Sequence, residues 1–331
     1  MQTILVTGGA GYVGSILVRR LLQAGYRVVC LDNLRFGGES LLDVFDHPEL
    51  VFHKADVRDA DGLKNILAKQ KPWAVVHLAA IVGDPACKRE SDLARETNWQ
   101  ASVNLLDQSR QAGAERFIFA STCSNYGKMS DPDSYVDEES PLSPVSLYAE
   151  LKVQFEKYFL KEIEKTADFA PTSLRFSTVY GLSPRMRFDL TVNEFTKELA
   201  LGKELLVFGE QFWRPYCHVR DFSRAIMTVL DSPKEKVAYD CFNVGSTQEN
   251  YTKGMIIEEL LKVMPDAVVK HVDKQEDPRD YRVNFSKIER ELGFSISRTV
   301  PEGIKEIRQV VETGIISDPE AQRYYNIPHS A

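Results

Sequence analysis

Tyr148 and Lys152 are the two residues whose types and spacing point most directly to chemistry. On a helix, a spacing of four places both side chains on one face, one turn apart. A free phenol has a pKa of about 10 and is a poor base at neutral pH. A neighbouring ammonium group stabilises the phenolate, so a tyrosine in such a pair can exchange a proton with a hydroxyl while hydride moves to or from a nicotinamide ring. The same pair is common on solvated helices, so the interpretation depends on companions elsewhere in the chain.

Polar and small residues that follow two apolar runs supply such companions. Thr122 and Ser124 come soon after the run Phe117–Ala120, and hydroxyls at the carboxyl end of a strand lie where open α/β sheets bind ligands. Leu78-Ala79-Ala80 closes another run, where small side chains let the backbone approach a flat ring. Asn98 lies in the next predicted helix, where its amide could hold water or backbone near the site. Packing or capping is the alternative role for each of them.

A glycine-rich turn near the N-terminus predicts a phosphate-binding site. After the predicted strand Thr3–Val6, the sequence Thr7-Gly8-Gly9-Ala10-Gly11-Tyr12-Val13-Gly14 satisfies both the G-x-G-x-x-G and the G-x-x-G-x-x-G patterns. Glycine permits the tight turn, the approach of backbone to a pyrophosphate, and the close packing of helix on strand. The following helix would present unpaired N–H groups and a partial positive charge to the phosphates. The predicted cofactor contacts in this turn are Gly8, Gly11, Tyr12, Val13 and Gly14.

Acidic residues after the second and third predicted strands indicate the adenosine end of a dinucleotide. A carboxylate at Asp32 can accept hydrogen bonds from the ribose hydroxyls and would repel a 2′-phosphate, which favours NAD over NADP. Arg35 could accommodate that phosphate, so NADP stays an alternative, and a plain turn after the strand is another. Asp56 could meet the adenine edge or cap a helix. The residues assigned to this end are Asp32, Asn33, Asp56 and Val57.

The elements that must position these groups alternate strand and helix through the first half of the chain. Predicted strands are Thr3–Val6, Val28–Leu31, Val51–Lys54, Ala74–Leu78, Phe117–Ala120 and Thr172–Phe176, and predicted helices include Tyr12–Ala24 and Leu147–Lys165. Strands without alternation are typical of a parallel sheet that helices cover on both faces. The predicted fold class is α/β, a Rossmann-type doubly wound parallel sheet with a smaller α/β C-terminal substrate domain. We assign residues 1–180 to the NAD-binding domain, with 216–245 returning to it, and 181–215 and 246–331 to the substrate domain.

Charge and composition exclude several classes of function. The formal net charge is −7 and the sequence pI is about 5.5, which argues against nonspecific binding to nucleic acid or to an anionic membrane. No apolar run approaches the roughly 18 residues that cross a bilayer, and the N-terminus lacks the pattern of a secretory signal. Five scattered cysteines without a C-x-x-C pair indicate reduced thiols, a cytoplasmic location and no zinc site.

Taken together, these motifs resemble the extended short-chain dehydrogenase/reductase family, in its sugar-nucleotide epimerase/dehydratase branch. The likeness covers nearly the whole chain, and its motifs in order are the glycine turn, Asp32, Asp56, His77-Leu78-Ala79-Ala80, Thr122, Tyr148 and Lys152. The resemblance implies that Thr122 hydrogen-bonds the reacting sugar hydroxyl or carbonyl and that Tyr148 is the acid/base. Lys152 would anchor the nicotinamide ribose and tune Tyr148. It also implies a homodimer packed through two helices per subunit, Leu93–Ala112 and Leu147–Lys165.

The second half of the chain carries residues that the same resemblance assigns to a nucleotide-diphosphate sugar. The stretch Arg214-Pro215-Tyr216-Cys217-His218-Val219-Arg220-Asp221 is similar to a family pattern in which the arginine holds the diphosphate, a task that suits a planar forked donor. Asn193 would also contact phosphate, Arg279 stands where the family often places a second arginine, and Thr178 replaces the family's usual asparagine. Arg185 and Arg187 are interpreted as solvated surface charges. The predicted substrate contacts are Thr122, Ser124, Thr178, Asn193, Arg214 and Arg279.

The two residues after Thr122 narrow the choice among the reactions of the family. Dehydratases of the family usually carry Asp-Glu there as the acid and base of elimination. This sequence has Cys123-Ser124 instead, which argues against a 4,6-dehydratase. Hydride and proton transfer at one carbon remain, and because Asp32 indicates NAD we predict a sugar-nucleotide epimerase that acts at C4 with Tyr148 as acid/base. A 4-keto-sugar-nucleotide reductase that uses NAD(P)H is the alternative. A non-catalytic dinucleotide-binding module is a further one, although such proteins lose the Tyr or the Lys.

Overall fold

Seven parallel strands form the central sheet of the molecule. The computed structural model describes residues 1–129, 131, 134–272 and 279–327. In this described part the strands are β1 (Thr3–Thr7), β2 (Arg27–Asp32), β3 (Leu50–Lys54), β4 (Ala74–His77), β5 (Arg116–Thr122), β6 (Ala170–Phe176), β7 (Thr178–Tyr180), β8 (Leu205–Phe208), β9 (Trp213–His218), β10 (Asp240–Val244), β11 (Asn250–Thr252) and β12 (Val269–Val272). The order in the large sheet is β10-β6-β5-β4-β1-β2-β3. Strand β10 therefore brings the chain back to this sheet after a long excursion.

Helices cover both faces of the sheet. The helices of the described residues are α1 (Gly14–Gln23), α2 (Ala60–Gln70), α3 (Asp84–Arg89), α4 (Ser91–Arg95), α5 (Ala101–Gln111), α6 (Leu147–Lys157), α7 (Thr191–Ala200), α8 (Val219–Asp231), α9 (Lys234–Val237), α10 (Lys253–Val263), α11 (Ser286–Leu292) and α12 (Val300–Glu312). Alternate residues of β1 show the two layers, because Ile4 and Val6 pack with α1 and α8 while Leu5 packs with α2, α5 and α6. In a strand covered on both faces, every side chain must be apolar or have its polar groups hydrogen-bonded. This explains the unbroken apolar runs in the sequence.

The strand order reverses between β1 and β4, and this opens a crevice at the carboxyl ends of the strands. From β1 the chain continues through α1 to β2 on one side, whereas β4 leads to β5 on the other side. Ligands of doubly wound sheets bind at such a switch point. Thr7, His77 and Thr122 are the last residues of β1, β4 and β5 and so lie at this edge.

Two small sheets and three helices form the rest of the molecule. One sheet has the order β11-β9-β7 and the other pairs β12 with β8. Helices α7, α10 and α12 pack on one another around buried side chains such as Val192, Ile256 and Ile304. Tyr12, from the glycine turn, joins the same core, so this part of the chain packs against the crevice of the large sheet. Within the described residues, no helix combines the length and the apolarity that are needed to cross a bilayer.

The elements differ from the sequence-based expectations mainly at their ends. The predicted helix Leu147–Lys165 is shorter, since α6 passes into a wide π-helical turn, Tyr158–Glu162, and stops there. The segment predicted as one helix, Leu93–Ala112, is instead α4, a π-helical turn at Glu96–Gln100, and α5. Strand β5 is longer than predicted and includes Thr122 itself, because Phe176 of β6 extends the pairing to that residue.

Candidate active site

The glycine turn between β1 and α1 brings backbone against backbone at two positions, where a side chain has no room. Gly8 has a φ of +72°, and a Cβ there would lie 2.9 Å from the backbone nitrogen of Ala79. A Cβ on Gly14 would overlap the carbonyl oxygen of Gly8. The first turn of α1 therefore sits directly on the end of β1, and its leading N–H groups have no partners inside the helix. This tight cradle fits a pyrophosphate, the role predicted for Gly8, Gly11, Tyr12, Val13 and Gly14.

The side chain of Tyr12 ties this turn to the second part of the chain. Its hydroxyl donates to the carbonyl oxygen of Gly181 and accepts a hydrogen bond from Asn193 Nδ2 at 3.1 Å. Asn193 Nδ2 also donates to the carbonyl of Arg187 at 2.7 Å, and Asn193 Oδ1 accepts the N–H of Gly181 at 2.8 Å. Phosphate oxygens need donors, and both amide hydrogens of Asn193 are used inside the protein. The geometry thus argues against the predicted phosphate contact and makes Asn193 a link between the two parts.

Asp32 ends β2 against the glycine turn, at the predicted adenosine end. Its Oδ2 accepts the N–H of Ala10 at 3.0 Å and its Oδ1 accepts the N–H of Leu34 at 2.8 Å. Burial raises the pKa of this carboxyl above its usual range, and the two backbone hydrogen bonds oppose that rise. A carboxylate offers about four acceptor sites, so Asp32 can still accept from two ribose hydroxyls.

Asn33 and Asp56 form a second polar group at this end. Asn33 Nδ2 donates to Asp56 Oδ2 at 3.2 Å, and the Arg58 guanidinium contacts both oxygens of the same carboxylate at 3.0 Å. These hydrogen bonds, led by that of Arg58, lower the pKa of Asp56 to about 2. Val57 is buried beneath them. The four residues predicted for adenosine are therefore brought to one edge, and their contacts with the cofactor stay a prediction.

Arg185 and Arg187 are buried, and the interpretation of both as solvated surface charges is wrong. Arg185 is 7% exposed, with Nη2 donating to Asn326 Oδ1 at 2.7 Å and the guanidinium 4.3 Å from the centre of the Phe36 ring. Arg187 is 9% exposed and makes two hydrogen bonds to Asp189, of 2.9 and 2.8 Å. No local pattern in the sequence signals this burial, since it arises from packing between distant segments.

A cavity of about 540 Å³ adjoins Arg185 on the adenosine side. Its lining combines the loop after β2 with the C-terminal segment and includes Arg35, Ser40, Arg89, Arg185, Arg323 and Asn326. The Nε of Arg185 is buried and has no hydrogen-bond partner among the described residues. Burial also lowers the pKa of Arg185 to about 10, and a guanidinium of this pKa still carries its charge at neutral pH. An orphaned, charged donor beside Asp32 and the glycine turn fits a phosphate of the dinucleotide.

The segment Leu78–Ile81 after β4 is held in place by the predicted helix residue Asn98. Its Oδ1 accepts the N–H of Ile81 at 2.8 Å and its Nδ2 donates to the carbonyl of Ile81 at 2.9 Å. Both hydrogen bonds go to one residue, so the amide fixes the backbone of the segment. Of the roles foreseen for Asn98, the structure gives it the contact with backbone near the site. Leu78 and Ala79 then lie beside Gly8, where the cofactor is predicted, and Ala80 follows them.

A relay of hydrogen bonds runs beneath this segment through the buried His77. The N–H of Ala79 donates to Thr7 Oγ1 at 3.3 Å, Thr7 Oγ1 lies 2.8 Å from His77 Nδ1, and His77 Nε2 lies 2.9 Å from Ser102 Oγ. Ser102 Oγ donates onward to the carbonyl of Asn98 at 3.0 Å. Starting from Thr7, each hydroxyl or ring N–H can donate to the next group only if His77 is neutral and carries its hydrogen on Nε2. Burial lowers the pKa of His77 to about 3, in agreement with that state.

The relay predicts an acid-sensitive fold. The folded chain keeps His77 neutral down to about pH 3, whereas the unfolded chain binds a proton below its ordinary pKa of 6.5. Stability from this residue is therefore complete above pH 6.5 and is lost as the pH falls through that window. At pH 5 we expect the free energy of unfolding to have lost about 2 kcal/mol through His77 alone. In denaturant titrations from pH 7 to 5, the wild type should lose this much more unfolding free energy than His77→Gln. An equal loss in the two proteins would contradict the prediction.

The three predicted catalytic residues meet at the carboxyl end of β5. Lys152 Nζ donates to the carbonyl of Ala120 at 2.7 Å and lies 5.8 Å from the centre of the Tyr148 ring. Thr122 Oγ1 accepts the N–H of Ser124 at 3.1 Å, which leaves the hydroxyl hydrogen uncommitted by that bond. Ser146 caps α6 through its side chain and so fixes where the turn that carries Tyr148 begins.

Burial and nearby charges set the protonation of this group. Burial raises the pKa of Tyr148, Cys87 and Asp84 raise it further, and Arg187 opposes them. Burial lowers the pKa of Lys152 to about 8, so it is mostly an ammonium at neutral pH. Tyr148 is therefore a neutral phenol next to a cation. A neutral phenol can donate a proton, and it acts as a base only in its phenolate form, which the ammonium and any further positive charge in the crevice stabilise.

Three of the predicted substrate residues, Thr178, Arg214 and Arg279, come from later segments of the chain. The guanidinium of Arg214 on β9 stacks over the Tyr281 ring at 5.4 Å from its centre, and the Tyr281 hydroxyl donates to Ser124 Oγ at 3.4 Å. Thr178 begins β7 and pairs in register with Tyr216 beside Arg214. Arg279 Nη1 donates to Asp84 Oδ2 at 2.8 Å. Sequence analysis did not single out Tyr281 or Asp84, although Gly83-Asp84-Pro85 is a recognisable helix start close to Leu78-Ala79-Ala80.

The chain is similar to known proteins over most of its length. The model of the NAD dependent epimerase/dehydratase family matches residues 4–245. The dTDP-glucose 4,6-dehydratase of Neisseria gonorrhoeae is 30% identical over 335 residues, which cover 93% of this chain and 95% of that protein. Among solved structures, the UDP-glucose 4-epimerase of Thermotoga maritima with UDP-glucose has a TM-score of 0.82 and 27% identity, covering 95% of this chain and 100% of that one.

A second solved structure, the UDP-glucose 4-epimerase of Thermus thermophilus in complex with NAD, has a TM-score of 0.81 and 27% identity over 95% of this chain and 99% of that one. The predicted Rossmann-type fold, the resemblance stated from the motifs and the dependence on NAD are confirmed. The family match covers the glycine turn, the catalytic group and the returning strand β10. The chain belongs to the NAD-dependent epimerase/dehydratase family of sugar-nucleotide enzymes.

Proposed function

We propose that this chain is an NAD-dependent sugar-nucleotide epimerase that acts at C4 of the sugar. The observation that carries the proposal is the combination of Thr122, Tyr148 and Lys152 at one end of the sheet with no elimination carboxylates after Thr122. Cys123 stands at the first of those positions and is buried, with its thiol donating to the carbonyl of Arg175 at 3.1 Å. Burial raises the pKa of that thiol well above its ordinary value, so it is a poor acid for a leaving hydroxyl. Proton transfer then rests on the phenol.

The proposed chemistry assigns one task to each residue. NAD, which the glycine turn and Asp32 would hold, would supply the hydride acceptor and hydride donor for the sugar carbon. Tyr148 takes the proton of the C4 hydroxyl as that carbon is oxidised and gives it back after the sugar has turned. Lys152 stabilises the phenolate form of Tyr148, which exists before the proton of the sugar is taken and again after it has been given back. Thr122 holds the reacting oxygen by a hydrogen bond, which keeps the C4 centre in line with the phenol in both half-reactions.

The proposed substrate is a nucleoside diphosphate sugar lying between the two parts of the chain. Arg214 and Arg279 would hold its diphosphate, because paired guanidinium groups match phosphate oxygens in geometry and charge. Ser124 and Thr178 would contact the sugar, since Ser124 lies next to Thr122 and Thr178 lies on the strand beside Arg214. The division into an NAD-binding part, 1–180 with 216–245, and a substrate part, 181–215 with 246–331, follows the same arrangement.

We also propose that the enzyme works as a homodimer through the paired faces of α5 and α6. The rings of Trp99 and Tyr158 make an edge contact at 5.9 Å, and both side chains are only partly buried in the single chain. Trp99 lies in the turn before α5 and Tyr158 in the turn after α6, and Val103 of α5 and Leu160 of the turn after α6 are further partly buried apolar residues of these two segments. A second copy packed on this face would cover a continuous apolar surface.

Turnover without added cofactor separates an epimerase from a 4-keto-sugar reductase. An epimerase returns its hydride, so the protein as purified should interconvert UDP-glucose and UDP-galactose, or the thymidine diphosphate pair, over many cycles with the NAD it carries. The sugar epimers can be followed by proton NMR, and the cofactor released from denatured protein should be NAD. Consumption of one NADH or NADPH per 4-keto sugar, with no interconversion of epimers, would instead establish the reductase.

A further inference from the structure

Asp84 is a carboxylate beside the catalytic group for which the proposed mechanism has no task. It is the first residue of α3 and follows Gly83, whose φ of +93° favours glycine. Asp84 Oδ1 accepts the hydroxyl hydrogen of Ser146 at 2.6 Å, and Asp84 Oδ2 accepts Arg279 Nη1 at 2.8 Å. Its side chain is 24% exposed, so a ligand between the two parts of the chain can reach it.

The contact with Ser146 places Asp84 next to the acid/base. Ser146 is the cap of α6 and accepts the N–H of Ala149 at 3.3 Å, and Tyr148 follows Ser146 by two residues. After burial and Cys87, Asp84 is the next cause that raises the pKa of Tyr148, so its charge acts on the phenol. A sugar whose C4 hydroxyl meets Tyr148 therefore brings a substituent of a neighbouring carbon towards Asp84.

The contact with Arg279 is an ion pair that a substrate can exchange. Arg279 is partly exposed, and exposed ion pairs hold their partners weakly. A diphosphate carries more charge than one carboxylate and accepts both arms of a guanidinium. If the proposed function holds and Arg279 turns to the diphosphate, Asp84 keeps Ser146 as its partner and presents a carboxylate to the sugar.

We propose that Asp84 determines the class of sugar that the site accepts, favouring neutral sugars with free hydroxyl groups over uronic acids. The proposal rests on the proposed function, because it places the sugar between Tyr148 and Asp84. A carboxylate accepts hydrogen bonds from hydroxyl groups and repels a second carboxylate, and the repulsion is large where water is excluded. In a uronic acid the C6 carboxylate is bonded to C5, the carbon next to C4. With C4 at Tyr148, this carboxylate comes close enough for Asp84 to repel it.

Binding to a variant that cannot turn over tests this preference apart from activity. In the NAD-loaded Tyr148→Phe protein, calorimetric titration should give UDP-glucose at least about a tenfold lower Kd than UDP-glucuronic acid, which differs only at C6. Adding Asp84→Asn, which keeps the shape and removes the charge, should bring the two Kd values to within about threefold, mainly through tighter binding of the uronate. Asp92→Asn, an exposed acid in the first turn of the neighbouring α4, is the matched control and should leave the ratio unchanged.

Two results would overturn the inference: tighter binding of the uronate by the protein with Asp84 intact, or a ratio of Kd values that Asp84→Asn does not change. Failure of the proposed function looks different, because it is an absence of turnover in the protein with Tyr148 intact. Proteins that carry Asp84→Asn with Tyr148 intact supply the kinetic counterpart. Their kcat/KM ratio for UDP-glucose over UDP-glucuronic acid should fall about tenfold, whereas a merely structural role of Asp84 would lower both values equally.

Discussion

Replacing Tyr148 with phenylalanine in the NAD-loaded protein is expected to lower turnover on the order of 10²–10⁴-fold. The substitution removes one hydroxyl and keeps the ring that packs at the start of α6, so the crevice should retain its shape. The thiol of Cys87 is not free to replace the phenol, because it already donates to the carbonyl of Ile81 at 3.2 Å. Single-turnover measurements of hydride transfer to the bound NAD would show the loss directly.

The phenylalanine variant should still bind NAD, because the cradle at Gly8 and Gly14 and the carboxylate of Asp32 are unchanged. Tyr26→Phe is the matched control, since its hydroxyl contacts Asp231 at 3.3 Å just before β2, at the opposite edge of the sheet. That variant should keep full turnover. Normal activity of Tyr148→Phe would refute the proton chemistry assigned to this residue, whereas loss of NAD from it would mean that the effect is on folding or binding.

Those parts of the fold that depend on local patterns could be predicted from the sequence. Strands β1, β2, β3, β5 and β6 each contain the predicted run, and β4 contains its predicted run except for Leu78, because a strand buried on both faces shows itself as unbroken apolar residues. Gly8 and Gly14 were predictable for a similar reason, since only glycine fits where backbone meets backbone. The ends of elements were less predictable. The wide turn at Tyr158–Glu162, for example, ends a helix whose apolar pattern continues beyond it.

The parts of the site that could not be predicted from the sequence depend on contacts between segments far apart in the chain. Arg185 lies in a stretch rich in polar residues, and only packing against Phe36 and Asn326 buries it. Asp84 and Arg279 are 195 positions apart, and nothing near either residue announces the ion pair. Spacing within one helix was therefore enough to predict the acid/base pair, whereas the charges that surround it could be found only in the folded chain.

Gly14→Ala is expected to damage the cofactor site more than any other single methyl group on the glycine turn. The new Cβ would overlap the carbonyl oxygen of Gly8 and lie 2.7 Å from the Cα of Gly9, so backbone must move. Overpacking of this kind costs about 1–3 kcal/mol of folding free energy. The displaced turn is also the cradle for the pyrophosphate, and we expect the Kd for NAD to rise about tenfold or more. Thermal unfolding with and without added NAD measures both effects.

Gly254→Ala shows whether the damage comes from the place or from the substitution. Gly254 also lies in the first turn of a helix, α10, but a Cβ there would be 3.5 Å from Thr252 Oγ1 and 3.6 Å from the carbonyl of Glu210, which are ordinary contacts. Because alanine is the better helix former, this variant should match the wild type or gain about 0.5–1 kcal/mol of stability. Its shift in Tm on adding NAD should equal that of the wild type, and the shift for Gly14→Ala should be much smaller. Equal shifts for the two variants would mean that the turn yields to a side chain, and the pyrophosphate would then have to bind elsewhere.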